Sequence, residues 1–279
     1  MTATLLEVMA ETARRCAAGF DSTCTAAGTT TTLVDAVAAD EGVSTTFAQG
    51  GWILRPDAPT ADDQVRRISL FDPATGTFTV SRAWADAPDD AEAYYVFAIL
   101  PPLALPGIPE SWQRLVNRGL AATWYDAAIP VAAGDGTLNR FPLAAEDGWV
   151  PNDQQVKMVL FRTYLDNGNV RDLPLNTGGR KWRLEPGDGQ TMLVTNRSPR
   201  SDETVIVIAV RTYSALDAIT DETACDLTIA SLRARYELYT YLDAAPQTKG
   251  QYAGEAKAAY QDWWSQYRTV RPAGAVVIV

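Results

Sequence analysis

The spacing of apolar positions changes from helical to strand-like within the first hundred residues. Residues 4–18 carry apolar or small side chains three or four positions apart, which predicts an amphipathic helix that ends near Gly19. The threonine-rich run at residues 25–35 favours extended structure, because β-branched side chains suit strands. We therefore predict an N-terminal helix within residues 1–22, followed by a β region.

Short strands joined by tight turns are predicted between residues 23 and 100. The turn DPATGT (72–77) starts with Asp-Pro and has a glycine where a positive φ is needed. In the strand before it, strict alternation puts Val65 and Phe71 on one face and Ile68 on the other. Such strands make a small antiparallel sheet or a partial barrel, and they are expected at 52–55, 64–71, 78–84 and 93–100.

A proline-rich segment and a predicted helix occupy the middle of the chain. The prolines of residues 101–109 indicate a stiff linker and a domain boundary. Pro109 suits the first turn of a helix, and Glu110 suits the positive end of the helix dipole. We therefore predict a helix from this point to about Ala127, with Trp124 on its apolar side.

A second β region is predicted after that helix. The run VIVIAV (205–210) is apolar throughout, which predicts a central strand that is buried on both faces. Turn signals separate the predicted strands, which are 140–143, 156–165, 170–175, 182–185, 190–196 and 203–213.

Two further helices are predicted towards the C-terminus. The first begins at a cap, Thr220 or Asp221, and ends at about residue 242, and the second covers residues 249–268. Trp263 and Trp264 are adjacent, so they point about 100° apart around the second helix and cannot both face one core. At least one of them is a candidate for an interface between subunits.

Apolar, β-favouring residues end the chain. The tail 269–279 closes on Val276, Val277, Ile278 and Val279, and an end with this composition is expected to be buried. Two alternatives stay open. The tail adds a strand to its own sheet, or it adds a strand to a neighbouring protein.

These patterns together predict an α+β protein. It has a small antiparallel β module, a second mixed β region with packed α-helices, and an extended C-terminal tail. The predicted boundaries are an N-terminal helix at 1–22, the β module at 23–100, a linker at 101–109, an α+β core with late helices at 110–268 and a docking tail at 269–279.

The composition narrows the classes of function. The chain of 279 residues has no histidine, so the usual general base and the commonest metal ligand are missing. Its three cysteines, Cys16, Cys24 and Cys225, have no zinc-site spacing, and their odd number argues against a disulfide framework. We therefore expect no enzyme activity, no metal and no cofactor.

The charge is acidic and unevenly distributed. The formal net charge is -10, and residues 1–100 hold 6 basic and 14 acidic side chains. No basic stripe indicates a sequence-specific nucleic-acid reader. The mean hydropathy is -0.12 and the N-terminus has no basic leader, so we expect neither a membrane partner nor a signal peptide.

Glycine and aspartate motifs could suggest ligand sites, but each lacks the necessary context. Gly50-Gly51 and Gly178-Gly179 are not followed by a helix whose N-terminus would hold a phosphate, so turns are expected. DNGNVRD (166–172) lacks the closing glutamate of a calcium loop, and a type I′ hairpin turn fits it better.

Carboxylates are plentiful, but they occur as neighbours in loops. A hydrolase of the paired-acid type needs two carboxylates about 5–10 Å apart across a cleft, which adjacent residues do not indicate. The loop PDAPTADD (56–63), which includes Asp62 and Asp63, is long, polar and held between two strands. It is therefore the best candidate in the β module for contact with a partner.

The motifs between residues 25 and 102 have a recognisable layout. They are TAAGTTTTLVD (25–35), a Gly-Gly-Trp strand (50–52), QVRRIS (64–69), the hairpin DPATGTFTV (72–80), the acidic return AWADAPDDAEAYYVF (83–97) and LPP (100–102). A helix follows, and the late helix TIASLRARYELYTYL (228–242) completes the pattern. This layout resembles the head–tail connector, or neck adaptor, proteins of tailed bacteriophages.

The resemblance implies a structural virion protein, made in the host bacterial cytoplasm and located in the neck. Members of this family form rings between portal and tail. The implied partners are further copies of the chain in a cyclic homo-oligomer, a dodecamer by family analogy, together with the portal protein and a tail or tail-terminator protein. Viral DNA would pass through the lumen without sequence-specific binding, because an acidic wall does not neutralise phosphates. The family has no active-site residues.

A function of another class stays open. Two β regions with exposed aromatic side chains would also suit a glycan- or receptor-binding module of the tail tip. A hydrolase with paired carboxylates is a third alternative.

Overall fold

The chain is described by a computed structural model that covers residues 2–105, 107–143, 156–165, 169–175, 182–187, 190–270 and 277–278. Its helices are α1 (Leu5–Arg15), α2 (Thr45–Ala48), α3 (Ala61–Gln64), α4 (Trp112–Ala121), α5 (Leu227–Ala244) and α6 (Ala253–Val270).

The strands of the first part of the chain are β1 (Ala3–Thr4), β2 (Gly19–Thr23), β3 (Ala26–Thr29), β4 (Thr32–Val34), β5 (Trp52–Leu54), β6 (Val65–Asp72), β7 (Thr77–Val80) and β8 (Ala93–Phe97). The later strands are β9 (Trp124–Ala133), β10 (Arg140–Leu143), β11 (Val156–Tyr164), β12 (Val170–Pro174), β13 (Trp182–Pro186), β14 (Thr191–Thr195), β15 (Glu203–Thr212), β16 (Glu222–Thr223) and β17 (Val277–Ile278). The predicted α+β class is confirmed.

The chain forms two compact units, and neither is continuous in sequence. Unit 1 comprises residues 1–120 and 215–267, and unit 2 comprises residues 121–214 and 268–279. This division differs from the predicted boundaries, which joined the late helices to the second β region. The late helices belong to unit 1 because α5 packs against α1 and β16 pairs with β1. These contacts join distant parts of the sequence, so local patterns did not reveal them.

A seven-stranded sheet forms most of unit 1, in the order β2-β8-β5-β6-β7-β4-β3. Its two outermost strands, β2 and β3, are consecutive in the chain, and Cys24 lies between them. The N–H of Cys24 donates to Glu92 O, and the N–H of Thr25 donates to Val34 O, both at 2.9 Å. The sheet therefore curls back on itself as a partial barrel, which is one of the two predicted alternatives.

A continuous apolar core fills this barrel. Phe71, Phe78 and Tyr94 lie at its centre, with ring centroids 4.4 Å apart for the first two and 5.6 Å apart for the last two. The phenol of Tyr94 donates to Asp35 Oδ2 at 2.7 Å, so the carboxylate of Asp35, which is also fully buried, has a partner. Burial and this hydrogen bond raise the pKa of Tyr94.

The strict alternation predicted for β6 is wrong. Ile68 and Phe71 are both 1% exposed in the same core, although an odd spacing should put them on opposite faces. A register shift between Ile68 and Leu70 explains this, because a β-bulge lets the strand rotate by one residue. Leu70 is left 50% exposed as a result.

Glycines make two of the predicted turns possible. In the β6–β7 hairpin, Asp72 Oδ1 accepts the Ala74 N–H at 3.0 Å, and Gly76 has φ 61°. A Cβ on Gly76 would lie 1.8 Å from Asp35 O, so no larger residue fits there. Gly50 has φ 84°, and Gly51 donates to Ala48 O at 2.9 Å, so the Gly50-Gly51 pair is a turn, as predicted.

The helix predicted to reach Ala127 is too long. Helix α4 ends at Ala121, and Trp124 begins strand β9, which pairs with β15 from Trp124↔Thr212 to Ala133↔Thr204. The helical spacing of apolar residues continues past Ala121, which is why the prediction was too long. Backbone pairing with β15, a strand about 80 residues later, holds residues 124–133 in a strand, and local spacing does not reveal that pairing. Trp124 is therefore on a strand, 36% exposed, and not in a helix core.

The N-cap predicted for the late helix is also displaced. Asp226 caps α5, since its Oδ1 accepts the N–H groups of Thr228 and Ile229 at 2.9 and 3.2 Å. Asp221 caps a preceding turn instead, and its Oδ2 accepts the N–H groups of Asp217 and Ala218, both at 2.8 Å. These two donors, Ala218 first, lower the pKa of the Asp221 carboxyl.

Unit 2 is a sandwich of two sheets. The five-stranded sheet has the order β12-β11-β15-β9-β17, and the three-stranded sheet has the order β10-β14-β13. Side chains of both sheets form one core, which includes Phe141, Val159, Phe161, Leu193 and Val207. Strand β15 has a neighbour on each side and its residues 205–209 are buried, so the predicted central strand is confirmed.

The C-terminal strand belongs to its own sheet in this structure. Val277 and Ile278 pair in parallel with Ala127 and Ala128 of β9. This is the first of the two alternatives predicted for the tail. The neighbouring Val276 and Val279 lie outside the described residues, as do the turns predicted at 166–168 and 178–179.

Candidate interaction surfaces

The adjacent tryptophans of α6 have different surroundings. Trp263 is 1% exposed and stacks on Tyr267 with centroids 5.1 Å apart, whereas Trp264 is 37% exposed. Tyr260, also on α6, is 41% exposed and lies 5.5 Å from the Trp263 ring. The helix thus anchors itself through Trp263 and leaves Trp264 and Tyr260 at the surface.

A guanidinium from α5 organises this aromatic cluster. The Arg233 guanidinium lies 4.8 Å from the centroid of Tyr236 and 4.7 Å from that of Trp263, and it pairs with Glu237 at 3.0 Å. A groove of about 680 Å³ lies between α5 and α6, and Tyr236 and Tyr260 are among its lining residues. Sequence reasoning found the aromatic residues but not the arginine that holds them.

The loop at 56–63, the candidate for partner contact in the β module, is partly built into the fold. Its end forms the short helix α3, and Asp63 is 7% exposed. One carboxylate oxygen of Asp63 accepts the Ala85 N–H at 3.1 Å and a bond from Arg66, and the other accepts the Thr60 hydroxyl at 3.0 Å. These donors, the Ala85 N–H foremost, lower the pKa of the Asp63 carboxyl. Asp63 is thus engaged inside the module, and the side chain of Asp62 lies outside the described part.

A second loop of the β module, residues 83–92, displays acidic side chains. Its base is fixed by Arg55, which is 2% exposed and donates to both carboxylate oxygens of Glu92, at 2.6 and 2.9 Å. A third bond joins Arg55 Nη1 to Asp86 O at 2.9 Å. Asp86, Asp89 and Asp90 are exposed. The Arg55–Glu92 pair spans 37 residues, so no local signal could have revealed it.

Strand β12 forms an exposed edge of the five-stranded sheet. All five of its residues are exposed, and the apolar ones are exposed by 49% at Val170 and 47% at Leu173. Opposite Val170 on β11, Tyr164 is 62% exposed, and Leu165 follows at 43%. Sequence reasoning missed this surface. The available signal was the occurrence of apolar residues on both faces of the β11–β12 hairpin, where one face would ordinarily be polar.

The backbone register shows which groups this edge presents. Asn169 O accepts the Leu165 N–H at 2.9 Å, and Val159 O accepts the Leu175 N–H at 2.9 Å. Alternation along an antiparallel ladder then directs the backbone groups of Val170, Asp172 and Pro174 away from β11. Proline has no N–H, so the outward donors of β12 are those of Val170 and Asp172.

An arginine pocket lies beside this edge. It measures about 610 Å³, and its lining includes Arg171, Arg197, Arg200 and Glu203. Arg197 donates to both carboxylate oxygens of Glu203 at 2.8 and 2.9 Å and lies 4.2 Å from the centroid of the Phe161 ring. Arg197 and the Arg200 N–H lower the pKa of the Glu203 carboxyl. The pocket is therefore built around one fixed guanidinium.

The two units differ strongly in charge. Unit 1 contains 12 basic and 23 acidic residues, a net of -11, and unit 2 contains 12 basic and 11 acidic residues, a net of +1. Together these give the -10 of the whole chain.

The described residues offer little for metal or thiol chemistry. Within them, no group of three His, Cys, Asp or Glu side chains could hold a metal ion. All three cysteines are free thiols, and burial raises the pKa of Cys16 to about 11 and that of Cys24 to about 12. Thiols with these pKa values are weak nucleophiles near neutral pH. In the same part of the chain, no helix has the length and apolar character needed to cross a membrane.

Comparison with known proteins gives no relative. The chain matches no protein-family model, and no curated protein and no solved structure is significantly similar to it.

Proposed function

We propose that this protein is a structural subunit that associates side by side with copies of itself, as a neck adaptor between the portal and the tail of a bacteriophage virion. The observation that carries the proposal is the edge strand β12, which has no described strand on its outer side, five exposed residues and an apolar hairpin beside it. Proteins commonly blunt or cover such edges, because exposed backbone donors and acceptors invite another strand. An edge left open is therefore a surface for a second chain.

The two edges of the five-stranded sheet differ, and this favours a ring. One edge is β12, and at the other the described residues of β17 pair in parallel with two residues of β9. A contact between unlike edges of two copies is heterologous, and heterologous contacts close into rings when the rotation between copies allows it. A dodecamer is the ring expected by analogy with neck proteins.

The acidic unit 1 fits the passage of DNA. Its net charge of -11 would keep phosphates from binding to the wall of a channel. In the proposed virion the ring contacts the portal on one side and a tail or tail-terminator protein on the other. It acts by geometry, without chemistry and without a cofactor.

The proposal is tested by imaging and mass measurement on the full chain. The purified protein is mixed with portal rings, and the complexes are examined by electron microscopy and light scattering. We expect cyclic rings with a central channel, stacked on the portal. A protein that stays monomeric and unbound at all portal concentrations would contradict the proposal.

The tail-tip alternative has one observation in its favour. Trp264 and Tyr260 are exposed on α6, and exposed aromatic rings can stack on sugars. Binding of the full chain to a glycan array, lost in the Trp264→Ala variant, would support this alternative and count against the ring.

A further inference from the structure

We propose that the arginine pocket of unit 2 binds the acidic loop, residues 86–90, of a second copy of this chain. This inference rests on the proposed self-association and names the side chains that would join one copy to the next. The pocket and the loop lie in different units, so copies can be joined head to tail through them, which is the kind of contact that a ring requires.

The pocket has guanidinium groups to offer. Arg197 is already paired with Glu203, but Arg171 and Arg200 are exposed, and the described residues provide no hydrogen-bond partner for their guanidiniums. Guanidinium groups recognise carboxylates through paired, charge-assisted hydrogen bonds. Among the described lining residues, Asp202 is the other acidic one, so three arginines stand against two carboxylates.

The acidic loop is held ready for such a contact. Arg55 fixes Asp86 through its backbone carbonyl, the Asp89 N–H donates to Glu92 at 3.0 Å, and the Gly28 N–H donates to Pro88 O at 2.8 Å. The side chains of Asp86, Asp89 and Asp90 take no part in these bonds and are exposed. The loop would therefore lose little conformational entropy on docking.

Shape also favours this occupant. Residues 85–91 read ADAPDDA, so the acidic side chains are separated only by alanine and proline, which allow close approach. Leu165 and Leu173 line the pocket beside the arginines and give it an apolar rim. Both leucines belong to the β11–β12 hairpin region, so edge pairing and charge pairing would act on one continuous surface.

The charge difference between the units explains why a second copy is the expected partner. A net of -11 makes two copies of unit 1 repel each other, whereas unit 2, at +1, does not repel the unit 1 of a second copy. Ring formation should therefore weaken as salt is raised.

Charge reversal on each side tests the contact. R171E/R200E reverses the pocket, D89K/D90K reverses the loop, and the variant that combines all four substitutions has the wild-type net charge. R67E/R82E reverses two exposed arginines of unit 1 and serves as the matched control. Assembly on portal rings is followed by light scattering, and circular dichroism checks that each variant is folded.

We expect each single-surface variant to need at least about tenfold more protein for half-maximal assembly. A tenfold change corresponds to the loss of about 1.4 kcal/mol of charge pairing. The combined variant and the control should assemble like the wild type. Wild-type assembly by R171E/R200E would overturn the inference. Loss of inorganic phosphate binding in R171E/R200E, with unchanged assembly, would assign the pocket to a free anion instead.

Crosslinking separates this inference from the proposed function. In R171K/R200K, a zero-length carboxyl–amine reagent should join these positions to Asp86, Asp89 or Asp90 of another copy, identified by mixing isotopically labelled and unlabelled protein. If no rings form on the portal but these intermolecular links appear, the neck proposal fails and the contact stands. If rings form without these links, only the contact is wrong.

Discussion

The two units differ in net charge and in the charged groups that they leave at the surface. In unit 1, buried charges find partners inside the unit, as in Arg55–Glu92 and Tyr94–Asp35. In unit 2, Arg171 and Arg200 stay exposed beside an open strand edge. The contrast teaches that an acidic composition alone does not identify a binding surface. Unit 1 is strongly acidic and pairs Arg55 and Asp35 internally, whereas unit 2 is almost neutral and presents two exposed guanidiniums.

Loss of the internal pairing of unit 1 is one of the two largest effects that we expect. Arg55→Ala leaves Glu92, whose side chain is 11% exposed, without its partner, and removal of one member of a buried pair typically costs about 3–5 kcal/mol. Hydrogen exchange under denaturant should show unit 1 opening first in this variant.

Arg162→Ala is the matched substitution in unit 2. Arg162 is also buried, but its partner Asp172 is 35% exposed and can be hydrated when the arginine is lost. We therefore expect a smaller loss of stability. Equal losses in the two variants would contradict the contrast between the units.

A second comparison lies within helix α6. Trp263→Ala removes a fully buried indole and should cost about 3–5 kcal/mol in the free energy of unfolding. Trp264→Ala removes a ring that is 37% exposed, and its cost should be near the surface value of about 0.5 kcal/mol. Chemical denaturation of both variants measures the difference, and similar midpoints would show that α6 packs differently.

Removal of the tail should have a moderate effect. If the tail paired with a neighbouring protein instead, deletion of Ala275–Val279 would block attachment to the portal without affecting the fold. Because Val277 and Ile278 pair with β9, we now expect the deletion to destabilise unit 2 by about 1 kcal/mol, the net worth of a typical hydrogen bond. Unit 1 should be unaffected, and an unchanged exchange rate along β9 would argue against the pairing.

The smallest expected effect is a dependence on pH. Asp63 in unit 1 has a pKa below its ordinary 3.8, and Glu203 in unit 2 has a pKa below its ordinary 4.5. A lowered pKa in the folded state stabilises the protein above the unfolded value, and this stability is lost as the pH falls through the folded value. The melting temperature should therefore fall below about pH 4.5. The Asp63→Asn variant should lack the part of this decrease that comes from Asp63, and the Glu203→Gln variant should lack the part that comes from Glu203.

Local patterns were sufficient for most strands and for the turn at Gly76, because alternation and turn residues act over a few positions. They failed where distant residues decide the outcome. The bulge near Ile68 and the strand at Trp124 both depend on pairing with another part of the chain. The assignment of α5 to unit 1 depends on its packing against α1, which comes more than two hundred residues earlier.

The candidate surfaces were predicted less well than the fold. The prediction that Trp263 and Trp264 do not both face one core is confirmed, since the first is buried and the second is 37% exposed. Helix geometry alone separates adjacent side chains, so the sequence was sufficient here. Asp63 was proposed for partner contact, but its carboxylate already accepts hydrogen bonds inside the unit. The donors are the N–H of Ala85, 22 residues further along the chain, and the guanidinium of Arg66 on β6. The arginine pocket brings β12 together with the segment before β15, and no sequence pattern joins them.

The central claim is that copies associate through the edge strand β12, and one substitution tests it most directly. Val170→Pro removes an N–H that points away from β11, so the internal ladder keeps its hydrogen bonds. Val170→Thr keeps both the N–H and the β-branched shape and is the control. We predict that the proline variant folds but forms no rings on the portal, as judged by electron microscopy, while the threonine variant assembles normally. Normal rings from the proline variant would contradict the account.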